Sequence, residues 1–243
     1  MVLMALRGAV GFLTRLPVGR SASAWNAFSD SPATMVLVAY LIGMVSALIV
    51  VAAPGPTAAF AYPLALVALT GIAHLDGLAD LGDAAVVHGP PAKRREVLAD
   101  TVTGVGGTAA VALDVLGLGV AAFVLTEAPI ALTIGLLVAA EVGAKLSMVG
   151  LASFGRPAHE GMGSTLVGTG PGQFLAAAAL SFPAALMTWP SLLPLASILG
   201  ALGAGLLLAG WMQSVFGGIS GDVFGAANEV ARLAGLYVGV LAW

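Results

Sequence analysis

The sequence predicts an all-α, polytopic integral membrane protein with about six or seven transmembrane helices in one bundle. Two observations support this prediction. Of the 243 residues, 59% are hydrophobic, and only 9% are charged. Soluble domains carry about 25% charged residues. The 33 glycines are a third observation, because small residues let membrane helices approach one another closely.

Seven apolar segments come near the ~20 residues that a helix needs to cross a bilayer. They run over 34–53, 60–80, 106–126, 130–153, 172–189, 192–213 and 223–243. A shorter apolar stretch at 3–16 is expected to lie in the membrane interface. Pro129 and Pro190 mark short connections. No soluble region interrupts the pattern, so residues 1–243 are predicted to form a single transmembrane domain.

The basic residues divide the loops into two sets. Arg7 and Arg15 precede the first long segment, Arg94 and its two basic neighbours follow the second, and Arg156 follows the fourth. With seven spans and the N-terminus inside, all these loops fall on one side. The positive-inside rule makes that side cytoplasmic. The sequence therefore predicts a multi-pass protein of the cell membrane with its polar chemistry facing the cytoplasm.

The composition also limits the partners. The chain has no cysteine, which excludes disulfides and thiolate metal sites. Its nine basic residues form no extended patch, so no nucleic-acid partner is expected. The lipid bilayer is the expected surroundings. The sequence leaves the oligomeric state open, and a homo-oligomer is among the arrangements that it permits.

The strongest functional signal is the acidic motif His74-Leu-Asp-Gly-Leu-Ala-Asp-Leu-Gly-Asp83 at the end of the second segment. Asp76, Asp80 and Asp83 share one face of a helix at this spacing. A charge near the bilayer centre costs at least ~2.5–3.5 kcal/mol, so a compensating cation is expected. Carboxylates suit Mg²⁺, and Asp100 is a fourth candidate ligand. Alternatively, the helix has left the membrane and water solvates these groups.

Three features are candidates for holding phosphate. Asp100-Thr-Val-Thr-Gly-Val-Gly-Gly107 predicts a glycine-rich helix start, where free N–H groups such as that of Gly104 can bind an anion. Arg156 suits bidentate phosphate binding, although a loop arginine is often merely solvated. Lys145 is the third candidate. It stands four residues after Glu141, so the alternative is an internal ion pair.

A second acidic motif opens the last segment, in Gly217-Gly-Ile-Ser-Gly-Asp-Val-Phe-Gly-Ala-Ala-Asn-Glu229. Asp222 and Glu229 share a helix face, and Asn228 stands beside Glu229. Facing the first motif, these residues would line the opposite wall of a substrate site. The simpler alternative is a helix cap by Ser220 or Asp222.

Two other polar residues stand apart from these motifs. His74 points to a different helix face from Asp76 and is expected to pack or to support the site. Asp114 lies well inside the third apolar segment and has no obvious partner in the sequence. It is expected either to pack between helices or to reach a polar cavity.

Taken in order, these motifs resemble the cobalamin synthase family. The resemblance rests on the first acidic motif, on Asp100 before a glycine-rich turn, on Gly218-Ile-Ser-Gly-Asp-Val-Phe-Gly-Ala226 and on Phe12-Leu-Thr-Arg-Leu-Pro-Val18. The chain departs from the family in two places. It has Ala99-Asp100-Thr101-Val102 where the family commonly has a Lys-Asp-Ser-Arg-like sequence, and Ala84 follows Asp83 where glycine is common.

The resemblance implies a transferase of late cobalamin biosynthesis that joins adenosylcobinamide-GDP to α-ribazole or α-ribazole 5′-phosphate and releases GMP. It implies Mg²⁺ as the cofactor. The expected metal ligands are Asp76, Asp80, Asp83 and Asp100, and Asp80 and Asp83 are also expected to be catalytic, with Asp83 alternatively the base. The residues expected to bind substrate are Gly104, Lys145, Arg156, Asp222, Asn228 and Glu229.

Two alternative functions fit parts of the pattern. The aspartate spacing is similar to that of the CDP-alcohol-type phosphotransferases of lipid synthesis. An ion-coupled transporter would use the aspartates as cation sites. Transporters usually show inverted repeats and polar residues near the midplane, and neither is clear in this sequence.

Overall fold

The computed structural model describes residues 1–19, 21–53, 55–98, 102–161 and 163–243. Within these ranges the chain forms eleven α-helices and two short 3-10 helices, Pro32–Thr34 and Ser164–Leu166. The α-helices are, in chain order, α1 Val2–Leu13, α2 Ala22–Ser29, α3 Met35–Ala52, α4 Pro56–Thr70, α5 Ala73–Val86, α6 Pro91–Leu98, α7 Val105–Leu125, α8 Ile130–Phe154, α9 Pro171–Ala185, α10 Leu193–Phe216 and α11 Gly221–Leu241. The predicted all-α class is confirmed.

Several helices are long and apolar enough to cross a membrane. In the described ranges four pass by themselves, namely α3 (extended to begin at Pro32), α7, α8 and α10, and α4 with α5 passes as a bent pair. The polytopic membrane class is thereby confirmed. Helix α9 has only 15 residues, and α11 carries Glu229 and Arg232 near its middle. The count of six or seven spans therefore stays a prediction.

Helix α8 is the central element of the bundle. Its sequence is apolar or small on nearly every side, as is typical of a helix buried all round. Of its most apolar stretch of 18 residues, 94% is buried. It packs against α3, α9, α10 and α11. Glu141 and Lys145 are therefore enclosed by protein on the middle of this helix.

The predicted segment at 60–80 is not one straight helix. Helix α4 ends at Thr70, and α5 begins at Ala73 after a bend of 105°. Gly71 lies at the bend with φ +80, a conformation that glycine adopts without strain. The bend turns the first acidic motif away from the axis of α4, and α5 packs instead along α7 and α11.

Two further details were missed by the sequence pattern. The polar loop at 83–105 contains the short helix α6, which packs against α5 and α10. The loop after α8 pairs with the segment before α11, because Ile219 donates its N–H to the carbonyl of Arg156 over 2.7 Å. An isolated bridge joins Pro157 to Ile219. This pairing holds the loop beside the start of α11.

Candidate active site

The two acidic motifs meet because α5 and α11 approach one another at backbone distance. A Cβ on Gly77 would lie 2.6 Å from the carbonyl oxygen of Asp222, and a Cβ on Gly225 would lie 3.0 Å from the Cα of His74. Any larger side chain would push the helices apart. The glycines thus bring together two motifs that are far apart in the sequence.

The carboxylates near this contact form an acidic face on α5 and the start of α11. Asp76 is exposed, whereas Asp80 and Asp222 are half-buried. The carboxylates with the strongest electrostatic influence on Asp80 are those of Asp222, Asp76 and Asp83. Like charges so close repel one another, and an oxygen-rich acidic face of this kind suits a hard divalent cation.

Ser220 caps helix α11 and leaves Asp222 available. Its Oγ accepts the N–H of Val223 over 3.4 Å and lies 3.2 Å from Oδ2 of Asp222, to which it donates. Of the two residues considered as caps, Ser220 therefore fills this role. The carboxylate of Asp222 faces the acidic cluster of α5.

Asp83 binds the start of α7. Its Oδ2 accepts the N–H of Gly104 over 2.6 Å, and its Oδ1 accepts the N–H of Gly107 over 2.9 Å. The expected anion site at this glycine-rich helix start therefore exists, but a carboxylate of the same chain occupies it. Each oxygen of Asp83 keeps a further lone pair for another partner.

Arg156 lies in the loop that pairs with the segment before Asp222. The N–H of Ala158 donates to the carbonyl of Ile219 over 3.1 Å, which fixes the second side of the pairing. The side chain of Arg156 is exposed. The backbone of Arg156 is thereby held close to the start of α11, because its partner Ile219 stands three residues before Asp222.

Three of the expected substrate-binding residues belong to a buried network. The Nζ of Lys145 donates to Oδ1 of Asn228 over 2.6 Å and to Oε2 of Glu141 over 3.2 Å. The Nδ2 of Asn228 donates to Oε1 of Glu229 over 3.0 Å. Lys145, Asn228 and Glu229 are all buried. The internal pair with Glu141, one of the two alternatives for Lys145, is present.

Arg232 completes the network and was not recognised in the sequence. Its Nε donates to Glu141 and its Nη1 donates to Glu229, and the whole residue is buried. The arginine thus lies between carboxylates of α8 and α11. The one signal in the sequence is its position three residues after Glu229, where helix neighbours of opposite charge attract.

Asp114 is buried without a visible hydrogen-bond partner. Within the described residues neither of its oxygens has one, nor does Nη2 of Arg232 or the hydroxyl of Tyr62. Asp114, Glu229 and Arg232 line a cavity of about 20 Å³. This volume is enough for about one water molecule. Asp114 thus packs between helices and also borders a small cavity whose other lining residues are mostly apolar.

The described residues do not by themselves form a complete metal cage. Within them, no group of three His, Asp or Glu side chains is arranged to hold a metal ion. Asp100, the fourth expected ligand, lies outside the described residues, as do Ala99 and Thr101. Mg²⁺ usually takes only one or two carboxylates and completes its shell with substrate phosphates and water. The acidic face fits that mode of binding.

Known proteins resemble this chain over almost its full length. It matches the cobalamin-5-phosphate synthase family over residues 5–240. A relative from Halorubrum lacusprofundi, named adenosylcobinamide-GDP ribazoletransferase, is 53% identical over 100% of this chain and 99% of its own. One of the same name from Haloquadratum walsbyi is 40% identical over 100% and 99%.

A shorter match has the same name. The relative from Halobacterium salinarum is 48% identical over 78% of this chain and 96% of its own length. No solved structure matches the chain. Since the family match spans both acidic motifs and the helices that carry them, the chain belongs to the cobalamin-5-phosphate synthase family.

Proposed function

We propose that this protein joins adenosylcobinamide-GDP to α-ribazole or α-ribazole 5′-phosphate and releases GMP, as an adenosylcobinamide-GDP ribazoletransferase. The family and the names of its relatives support this function over lipid phosphotransfer and ion transport. The observation that carries it is the meeting of two acidic motifs through Gly77 and Asp222. Such a face suits a diphosphate bound with a divalent cation.

The reaction replaces the phosphoanhydride bond to GMP by a phosphodiester bond to the ribazole. A hydroxyl oxygen of the ribazole bonds to the phosphorus that carries cobinamide, the bond from that phosphorus to GMP breaks, and GMP leaves with the bridging oxygen. The hydroxyl proton passes to a base. Asp83 serves as that base or as a further metal ligand, because its oxygens retain free lone pairs beside their bonds to Gly104 and Gly107.

Mg²⁺ is the proposed cofactor. Asp76, Asp80, Asp83 and Asp100 would hold it, and a hard cation suits their carboxylate oxygens. When bound, Mg²⁺ supplies positive charge that neutralises the diphosphate and the departing GMP. The repulsion between Asp80 and Asp222 favours a cation at this face.

The remaining residues position the substrate. Arg156 is exposed beside the acidic face and binds a phosphate oxygen, while Asp222 lines the wall opposite α5. For Lys145, Asn228 and Glu229, burial favours a supporting role over direct contact with the substrate. Asn228 and Glu229 follow Asp222 on α11 by six and seven residues, about 9–10 Å at the rise of an α-helix, and Lys145 reaches Asn228 from α8.

The protein is proposed to lie in the cell membrane with its acidic face towards the cytoplasm. The basic helix α6 packs against α5 and α10, and Arg95 of α6 lies 3.5 Å from the carbonyl of Val215. Arg156 lies at the same end of the bundle. Positive charge gathered at one end is typical of the cytoplasmic side.

The proposal is tested by turnover of purified protein with adenosylcobinamide-GDP and α-ribazole, with and without Mg²⁺. We expect GMP release only with Mg²⁺, and a loss of about 10²–10³-fold in Asp80→Asn, the order seen when a group that stabilises transition-state charge is removed. Glu127→Gln is the matched control, since Glu127 lies between α7 and α8 at the opposite end of the bundle. Turnover of a CDP-linked donor instead, or normal turnover by Asp80→Asn, contradicts the proposal.

A further inference from the structure

The break between α4 and α5 takes a backbone carbonyl away from its helical partner. In a continuous helix the carbonyl of Leu69 would accept the N–H of Ala73, four residues further on. The chain instead bends by 105° beside Gly71, and the carbonyl of Leu69 accepts the N–H of Arg15 over 2.8 Å. A carbonyl at a helix end costs free energy when it has no partner. The bond from Arg15 therefore stabilises the bent form over the straight one.

The side chain of Arg15 also lies against the bend. A Cβ on Gly71 would lie 3.4 Å from Cδ and 3.5 Å from Cγ of Arg15. The methylene stem of this exposed arginine therefore packs over the glycine. Arg15 thus makes two contacts at the bend, a backbone bond to the last turn of α4 and a packing contact on the residue that follows that turn.

The chain on both sides of Arg15 is itself held in place. Before it, the Oγ1 of Thr14 accepts the N–H of Leu16 over 3.2 Å, which closes a small loop around Arg15. After it, the carbonyl of Val18 accepts from Nε of Arg7 in α1 over 2.9 Å. The N–H of Arg15 is therefore presented to α4 by a segment with its own fixed conformation.

We infer that Arg15 is a positioning residue for the reaction, and that its backbone N–H, by binding the carbonyl of Leu69, holds the bend that brings the acidic face of α5 alongside α11. This inference rests on the proposed function. It gives a task to the N-terminal motif at 12–18, which the site described above does not use. Glycine contacts at Gly77 hold the middle of α5 against α11, and Arg15 holds the turn that leads into it.

Two variants of Arg15 separate its N–H from its side chain. Proline removes both, whereas alanine removes the side chain alone. Thr14 has φ −136 and ψ 166, the extended conformation that a residue before proline requires. We expect Arg15→Pro to lose kcat by about 10–10²-fold, the order caused by misplacing catalytic groups by up to about 1 Å. We expect Arg15→Ala to keep a kcat close to that of the wild type.

Ala22→Pro is the matched control for the proline substitution. Ala22 is exposed and is the first residue of α2, a position where proline fits and where the N–H has no partner within the helix. This variant should match the wild type in kcat and in thermal midpoint.

Spin labels measure the bend directly, because the chain has no cysteine to compete for them. Phe60 of α4 and Val86 of α5 are both exposed, and Phe60→Cys with Val86→Cys provides the labelled pair. Helices bent by 105° place these positions about 20 Å apart, and one straight helix would place them about 40 Å apart. We expect the short distance alone in the wild type, Arg15→Ala and Ala22→Pro, and an additional longer distance in Arg15→Pro.

Hydrogen exchange tests the bond in the unaltered protein, so the result does not depend on whether a variant folds. After correction for intrinsic rates, we expect the N–H of Arg15 to exchange about 5–10-fold more slowly than that of Ala22, the order of one hydrogen bond. Neither this measurement nor the spin-label distance needs turnover. Failure of the proposed reaction is therefore distinguished from failure of this role.

Three results would overturn the inference. One is equal exchange at Arg15 and Ala22, and another is the short spin-label distance alone in a folded Arg15→Pro. The third is an equal loss of kcat in Arg15→Ala and Arg15→Pro, since the guanidinium rather than the backbone would then serve the reaction.

Discussion

At the residue scale, the carboxylates of α5 are placed for function at a cost to stability. Asp80 is half-buried and has Asp222, Asp76 and Asp83 as its charged neighbours. Repulsion between like charges on adjacent helix turns costs a few tenths of a kcal/mol per pair, about 0.2–0.5 kcal/mol. A residue kept against this cost is typical of a site that trades stability for activity.

Asp80→Asn should therefore lose activity and gain stability. Without added divalent cation, we expect the free energy of unfolding to rise by about 0.5–1 kcal/mol, since up to three repulsions are relieved. Thermal unfolding in detergent, measured with a chelator present, shows whether the variant is more or less stable than the wild type. A lower midpoint than that of the wild type would mean that Asp80 is held by a partner rather than repelled by its neighbours.

Substitution of the two buried carboxylates Glu141 and Asp114 should have different effects on stability. Glu141 accepts from both Lys145 and Arg232, so Glu141→Gln leaves buried cations short of a partner and should cost about 3–5 kcal/mol. Asp114 has no hydrogen-bond partner within the described residues. Asp114→Asn removes a buried carboxylate that no hydrogen bond stabilises, and it should shift stability by less than about 1 kcal/mol, or raise it.

Thermal unfolding of the two variants side by side provides the comparison. Both positions lie in the interior of the bundle, so each variant is the control for the other. Equal loss in both, or a larger loss in Asp114→Asn, would show that Asp114 is paired.

At the scale of helices, the site depends on how closely α5 and α11 pack. In Gly77→Ala the new methyl group would lie 2.6 Å from the carbonyl oxygen of Asp222, and a backbone atom cannot swing aside. We expect the helices to separate by a fraction of an ångström to 1 Å and turnover to fall by about 10²-fold, the cost of misplacing catalytic groups by about 1 Å.

Gly203→Ala is the matched control for this change. Gly203 lies within α10, and a Cβ there meets nothing within 4 Å. Alanine favours a helix over glycine by up to about 1 kcal/mol, so this variant should keep full turnover and equal or greater stability. Full turnover in Gly77→Ala would mean that the two acidic motifs act independently.

The sequence predicted the positions of the long helices well, but it did not predict how they bend or pack against one another. The segments at 34–53 and 130–153 correspond to α3 and α8 within two residues, because their apolar runs are long and end at polar or Pro/Gly positions. The bend at Gly71 was missed, since a glycine within an apolar run does not reveal the sign of its φ. The acidic face of α5 followed from helical spacing alone.

The contacts of Lys145 could be predicted only in part from the sequence. Its spacing from Glu141 indicated an ion pair, but Asn228 lies 83 residues away in the chain, and Arg232 reaches Glu141 across 91 residues. Contacts over such separations depend on which helices are neighbours, and periodicity within one helix does not contain that information.

At the scale of the whole molecule, the acidic face lies at one end of the bundle, whereas the charged network around Arg232 is buried nearer its middle. Helix α7 starts beside Asp83 and ends near Glu127 after 21 residues, a length of about 30 Å and close to the thickness of the hydrocarbon core. The acidic face and the α7–α8 connection should therefore lie on opposite sides of the membrane.

The absence of cysteine makes this orientation easy to test. Single-cysteine variants Ala92→Cys, on exposed α6, and Glu127→Cys are labelled in intact cells with a membrane-impermeant maleimide. We expect Glu127→Cys to react and Ala92→Cys to react only after the cells are opened. The reverse pattern would place the acidic face outside, and reaction of both in intact cells would contradict the opposed ends.

The central claim is that the acidic face of α5, packed against α11, holds a divalent cation together with the diphosphate of the substrate. Mn²⁺ binding, followed by electron paramagnetic resonance with adenosylcobinamide-GDP present, tests this most directly. We expect wild-type protein and Glu127→Gln to bind Mn²⁺ equally, and Asp80→Asn to bind it at least about 10-fold more weakly, the loss expected when a ligand or its close support is removed. Equal Mn²⁺ affinity in Asp80→Asn and the wild type would contradict the account.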